Sequence, residues 1–210
     1  MAYPIGKRTI LPIARLWIRK INGLENIPKK GAFIVAANHS SYMDHFGLVN
    51  IVVRHMNKKL HFLAKKEHFD NILQKIWHTY AEAIPVDRQK GGKEALKFAI
   101  KALKKGEIIG IYPEGTRSLT GKLQKAKTGV ARLALEARVP VVPLGLIGTF
   151  EILPKGKYMP RFKRAIINIG RPMGFDKYSN KKINKRTLRE VTNIVMKEIA
   201  KLSKQKYNFK

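Results

Sequence analysis

Along residues 91–105, Ala95, Leu96, Ala99, Ala102 and Leu103 recur at three- and four-residue steps. Lys93, Lys97, Lys101 and Lys104 take the opposite positions. That period belongs to a helix with one apolar stripe. Similar runs predict helices over 41–56, 66–79, 129–138 and 183–204. Between them lie short apolar stretches at 31–37, 60–64, 80–85, 107–112, 140–146 and 164–169. They have strand length and end at turn residues, so they predict strands. Strands alternating with helices predict an α/β fold: a single domain with a central mixed, largely parallel sheet flanked by helices.

The first residues follow a different pattern. In "TILPIARLWIRKI", residues 9–21, Ile10, Ile13, Ala14, Trp17 and Ile21 fall at helical spacing among arginines. This predicts an amphipathic segment over residues 1–22, ahead of a main domain at 23–210. Two readings fit it: a basic helix lying in a membrane interface, or a helix packed on the core with a solvated basic face. "GLENIPKKG", residues 23–31, is a turn punctuated by Gly and Pro. No apolar run reaches the roughly 18 residues of a spanning helix.

Charge changes the picture. The 210 residues carry 43 Lys and Arg against 14 Asp and Glu, a net +29. Residues 151–210 alone hold 17 cations against 4 acids. Such a surface seeks polyanions: nucleic acid, anionic lipid headgroups, or acidic carriers and phosphorylated substrates. A lysine-rich genome is the bland alternative. The absence of cysteine excludes disulfides, thiolate metal sites and cysteine nucleophiles.

The candidate chemistry gathers at strand ends. In "VAANHSSYMDHFG", residues 35–47, His39 and Asp44 stand five apart. On one continuous helix they would lie about 140° apart and could not touch. A strand ending near Asn38 and a helix starting near Ser40 or Ser41 would let Asp44 fold back on the imidazole. A carboxylate there fixes the tautomer, and the other ring nitrogen can take a proton near neutral pH. The alternative is a structural histidine.

In "IIGIYPEGTRS", residues 108–118, a strand runs into Glu114, Gly115, Thr116 and Arg117. Gly115 permits close backbone approach, and Arg117 offers a fork matching phosphate. The plain alternative is a surface turn with Glu114 and Arg117 paired in water. In "AIPVDRQKGGKEA", residues 83–95, Arg88 follows a strand, and a double glycine opens a helix whose amides favour anions. "VPVVPLGL", residues 139–146, reads as a core strand bracketed by prolines.

Taken in order, "NHSSYMD", "IPVDR", "PEGTRS" and "VPVVPLGL" resemble the four motif blocks of the glycerolipid acyltransferases, which include the 1-acyl-glycerol-3-phosphate acyltransferases. The resemblance covers about residues 20–150. It implies His39 as the catalytic base and Asp44 as its orienting partner. It implies Arg88, Glu114, Gly115, Thr116, Arg117 and Lys127 as substrate-binding residues around a glycerol phosphate, and Pro140 near the acyl chain. Val86 and Ala126 depart from the family pattern, which carries larger residues there.

The implied reaction moves an acyl group from a thioester to the sn-2 hydroxyl of 1-acyl-glycerol-3-phosphate, giving phosphatidic acid. Acyl-coenzyme A or acyl-acyl carrier protein would be the co-substrate, with no metal or prosthetic group. The expected partner surface is an anionic membrane, met peripherally or monotopically on the cytoplasmic face of the cell membrane. Another lysolipid or glycerol 3-phosphate as acceptor is the near alternative. A basic nucleic-acid-binding protein is the distant one, and no recognised motif supports nucleic acid as a partner.

Overall fold

The computed structural model describes residues 3, 6, 8–66, 70, 72, 83–86, 92–178 and 182–209. In chain order the elements are α1 (Ile10–Arg15), β1 (Ile18–Asn22), β2 (Ile34–Ala37), α2 (Met43–Met56), β3 (Leu60–Lys65) and β4 (Ile84–Val86). They continue with α3 (Lys93–Lys104), β5 (Ile108–Ile111), α4 (Gly129–Ala137), β6 (Val141–Ile147), α5 (Thr149–Ile152), β7 (Ala165–Ile169) and α6 (Lys185–Leu202). The helix expected over 66–79 lies almost wholly outside the described residues.

Seven strands form one sheet in the order β1-β7-β6-β2-β5-β3-β4. From β6 through β2, β5 and β3 to β4 every pairing is parallel. β7 runs antiparallel to β6, and β1 runs parallel to β7. The sheet is therefore mixed and largely parallel. Parallel neighbours need helical crossovers, which cover both faces, so the central strands are apolar on both sides. Alternation along β2 shows it. Ile34 and Ala36 join the core under α3, α4 and α6, while Val35 and Ala37 join the one under α2.

Gly145, in mid-strand on β6, marks where the end of α6 crosses the sheet. A Cβ there would sit 2.2 Å from the Leu202 carbonyl carbon, so only glycine admits the helix.

The amino-terminal segment differs from its sequence pattern. The helix stops at Arg15, and Ile18–Asn22 is an edge strand rather than the last turns of a helix. Ile18 is buried, and a bulge between Ile18 and Lys20 turns both Arg19 and Lys20 to solvent. A bulge breaks the period-two alternation that identifies a strand, and Trp17 and Ile21 then mimic helical spacing. The sheet thus begins at Ile18. α1 packs on α2 through buried Leu11 and Ala14, and Asn50 Nδ2 donates to the Leu11 carbonyl at 2.8 Å.

Two connections leave the centre of the sheet in opposite directions. β2 passes through α2, on one face, to β3. The adjacent β5 passes through α4, on the other face, to β6. The crevice outside the carboxyl ends of two such strands is where open α/β sheets hold ligands. His39 follows β2, and Glu114–Arg117 follow β5.

Candidate active site

The strand-to-helix junction brings His39 and Asp44 together, as their spacing requires. Asp44 sits in the first turn of α2 and is 1% exposed. Its Oδ2 accepts from His39 Nδ1 and from the backbone N–H groups of Ser40 and Ser41, each at 2.8 Å. One carboxylate oxygen thus folds the turn and orients the ring at once. A carboxylate only accepts, so Nδ1 of the neutral ring carries the proton and Nε2 the lone pair.

The ring is also fixed from its face. Tyr112, the residue after β5, stacks on His39 with centroids 3.8 Å apart and planes 11° from parallel. Burial, with the Asp44 charge adding, pushes the Tyr112 phenol well above its ordinary value, so it stays neutral. Asn38 extends the β2–β6 pairing by one residue: its Nδ2 donates to the Leu146 carbonyl at 2.9 Å, and its Oδ1 accepts from Leu146 N–H at 2.7 Å.

Glu114 faces inward. It is 4% exposed, and its Oε1 accepts from the His39 N–H at 2.8 Å while Oε2 accepts from the Gln124 N–H at 2.8 Å. Burial raises its pKa from 4.5 to about 7, against the lowering effect of those two amides. The resemblance groups Glu114 with the residues that hold substrate. Its oxygens instead brace the His39 backbone against the segment after β5.

Gly115 makes the turn beyond. Its φ of +73° is a left-handed conformation, and its N–H donates to the Tyr112 carbonyl at 2.9 Å. The missing side chain leaves room for Lys127, whose Cδ would lie 3.3 Å from a Cβ at that position. Thr116 is exposed at the tip of the turn. The Arg117 guanidinium lies over the Tyr42 ring, 3.6 Å from its centroid. Its Nη1 is buried with no acceptor among the described residues. A flat, forked, half-buried cation with an unpaired donor suits a phosphate or carboxylate.

One expected residue among those described is not brought here. Pro140 precedes β6, and its carbonyl accepts from Ile34 N–H at 3.0 Å, at the amino end of the sheet. His39 lies at the carboxyl end, about 20 Å away along the strand. Proline lacks the ladder donor and so favours strand starts, which accounts for Pro140 without a ligand. Arg88 lies outside the described residues.

Sequence reasoning missed Tyr112 and Thr149. Tyr112 was legible as the residue between a buried strand and "PEGTRS". Thr149, whose Oγ1 lies 3.3 Å from Ser40 Oγ, carried no signal, because it lies 109 residues from its partner.

The acyltransferase family model matches residues 18–147, more than half of the chain. The chain belongs to the acyltransferase family. It is 36% identical over 146 residues to the 1-acyl-sn-glycerol-3-phosphate acyltransferase of Bacillus subtilis, covering 66% of this chain and 68% of that one. It is 32% identical over 156 residues to the chloroplastic 1-acyl-sn-glycerol-3-phosphate acyltransferase of Arabidopsis thaliana, covering 69% of this chain and 42% of that one. Among solved structures it resembles PlsC, the 1-acyl-sn-glycerophosphate (LPA) acyltransferase of Thermotoga maritima. The TM-score is 0.68 at 25% identity, over 97% of this chain and 83% of that one. Within this family, the crevice holding His39, Asp44 and Arg117 is the candidate active site.

Proposed function

We propose that this acyltransferase moves a fatty acyl group from an acyl thioester to the sn-2 hydroxyl of 1-acyl-glycerol-3-phosphate, giving phosphatidic acid. The observation that carries the reading is the oriented His39–Asp44 pair set beside the unpaired fork of Arg117, whose neighbour Ser118 donates its N–H to the His39 carbonyl at 2.8 Å. His39 Nε2 takes the hydroxyl proton as the oxygen attacks the thioester carbonyl. Asp44 stabilises the imidazolium that forms. The tetrahedral intermediate collapses with cleavage of the C–S bond, and the imidazolium returns the proton to the departing thiolate. The free thiol leaves and the histidine is neutral again.

A thioester is already activated, so the base can act directly on the acceptor without a serine nucleophile. Arg117 and Lys127 hold the phosphate, with Arg88 added by the resemblance, and Gly115 and Thr116 shape the turn that carries it. Such positioning lowers the barrier by several kcal/mol. Glu114 acts through His39 as a positioning residue. The donor carrier is coenzyme A or acyl carrier protein, and no step in this chemistry calls on a metal or prosthetic group.

The acceptor is an anionic lipid of the bilayer, so the enzyme works on a membrane surface, peripherally and on the cytoplasmic side. Among the described residues no helix is long and apolar enough to cross a membrane. The +29 charge suits an anionic surface, where each nearby Lys or Arg is worth about 1 kcal/mol.

The test is purified protein with a labelled acyl thioester and a panel of acceptors. Preferred acylation of 1-acyl-glycerol-3-phosphate supports the reading. Preference for glycerol 3-phosphate or for a neutral monoacylglycerol overturns the acceptor assignment.

A further inference from the structure

The connection between β6 and β7 was assigned no role by its sequence, and it is the most exposed apolar segment described. Residues 154–164, "PKGKYMPRFKR", hold Tyr158, Met159 and Phe162, which are 89%, 83% and 100% exposed. Lys155, Lys157, Arg161, Lys163 and Arg164 surround them, with no acid in the segment. Large apolar side chains held almost entirely in water and ringed by cations have little stabilising role in the domain itself. They mark an interaction surface.

Topology fixes where this surface lies. β6 runs parallel to β2, so the chain leaves β6 at the carboxyl end of the sheet, the end that carries His39. β7 runs back antiparallel, so the whole 154–164 segment stays at that end. β1 runs parallel to β7, which puts α1 there too. Hydrogen bonds join the three parts. Trp17 Nε1 donates to the Arg161 carbonyl at 3.1 Å, and Arg164 Nε donates to the Leu16 carbonyl at 2.9 Å. On the other side, Ser41 Oγ and Tyr42 N–H both donate to the Leu153 carbonyl, at 2.8 and 3.2 Å. Ser41 is two residues from His39. The loop is therefore built onto the rim of the crevice, beside exposed Ile13 of α1 and exposed Leu16 just after it.

We propose that residues 155–164 form a membrane-docking loop that inserts Tyr158, Met159 and Phe162 into the headgroup region of an anionic bilayer and sets the crevice mouth against it. An aromatic ring and a thioether gain by leaving water, and the five cations gain from anionic headgroups. This combination favours a bilayer over nucleic acid, which rewards charge but offers no apolar phase for three such tips. That the loop docks is independent of the proposed reaction. That docking serves turnover rests on the reading of the acceptor as a bilayer lipid.

The chain has no cysteine, so Phe162→Cys gives a single labelling site for an environment-sensitive dye. Vesicles of phosphatidylcholine with phosphatidylglycerol should shift the dye emission to the blue. The same dye on Phe98→Cys, an exposed position on α3, should not respond. Met159→Ser with Phe162→Ser should weaken sedimentation with those vesicles at least tenfold, and should leave turnover of a short-chain soluble acceptor within about twofold. That retained turnover shows the variant is folded. An unchanged emission at position 162, wild-type vesicle binding by the double variant, or a shift elicited by an acidic protein or nucleic acid but not by vesicles overturns the proposal. Vesicle binding and a blue shift in a protein that acylates no lysolipid would leave the docking loop standing and remove the proposed reaction.

Discussion

Glu114 Oε1 accepts a hydrogen bond from the backbone N–H of His39 at 2.8 Å, across 75 residues of sequence. Together with the Ser118 N–H, which donates to the His39 carbonyl at 2.8 Å, this contact joins the turn after β2 to the segment after β5, and with Asp44 it fixes the histidine from both backbone and ring.

The pKa of Glu114 makes that brace pH-dependent. Its folded pKa is raised from 4.5 to about 7, mainly by burial, so between those values the folded protein binds more protons than the unfolded chain. Stability from this group is therefore full at acid pH and declines as pH rises through about 7. Glu114→Gln lacks the titration. Its destabilisation relative to wild type should be largest near pH 5 and smallest above pH 8, by denaturant unfolding at each pH. A difference independent of pH would contradict the assignment.

Asp44→Asn can keep its carbonyl oxygen on Ser40 and Ser41, but only by burying an amide nitrogen where Oδ1 finds no partner in the described structure. It also removes the charge that stabilises the imidazolium. Turnover should fall by about 10² to 10⁴ with little change in KM. An unaltered kcat in a folded Asp44→Asn protein would remove Asp44 from the mechanism.

Arg117→Lys keeps the charge but loses both the fork and the stacking on Tyr42. The expected loss is about 1–2 kcal/mol of phosphate binding, seen as roughly a tenfold rise in KM for a phosphate-bearing acceptor. A neutral acceptor, if turned over at all, should be unaffected. Equal effects on both would mean that Arg117 supports the fold rather than the phosphate.

Pro140→Ala should leave steady-state kinetics within about twofold of wild type, because the residue lies at the opposite end of the sheet from His39. A large kinetic loss without a matching loss of stability would show that this end of β6 reaches the substrate.

What the sequence revealed and what it hid divide along physical lines. Buried strands and the amphipathic helix at 93–104 follow periods that burial imposes, so they were legible to within a few residues. The His39–Asp44 contact was legible because a local turn makes it. The inward turn of Glu114 was not, because it depends on Gln124 and His39 converging from separate segments. The motif block around Pro140 reads as one unit in sequence, yet the strand it forms carries one end away from the site. β1 was hidden by its bulge.

The central claim is that His39 is the base for acyl transfer to 1-acyl-glycerol-3-phosphate, and the most direct measurement follows labelled phosphatidic acid from a labelled acyl thioester, wild type beside His39→Ala. The variant should keep its circular dichroism and vesicle binding, and should form no product above the enzyme-free rate. Product at the wild-type rate from folded His39→Ala would contradict the account.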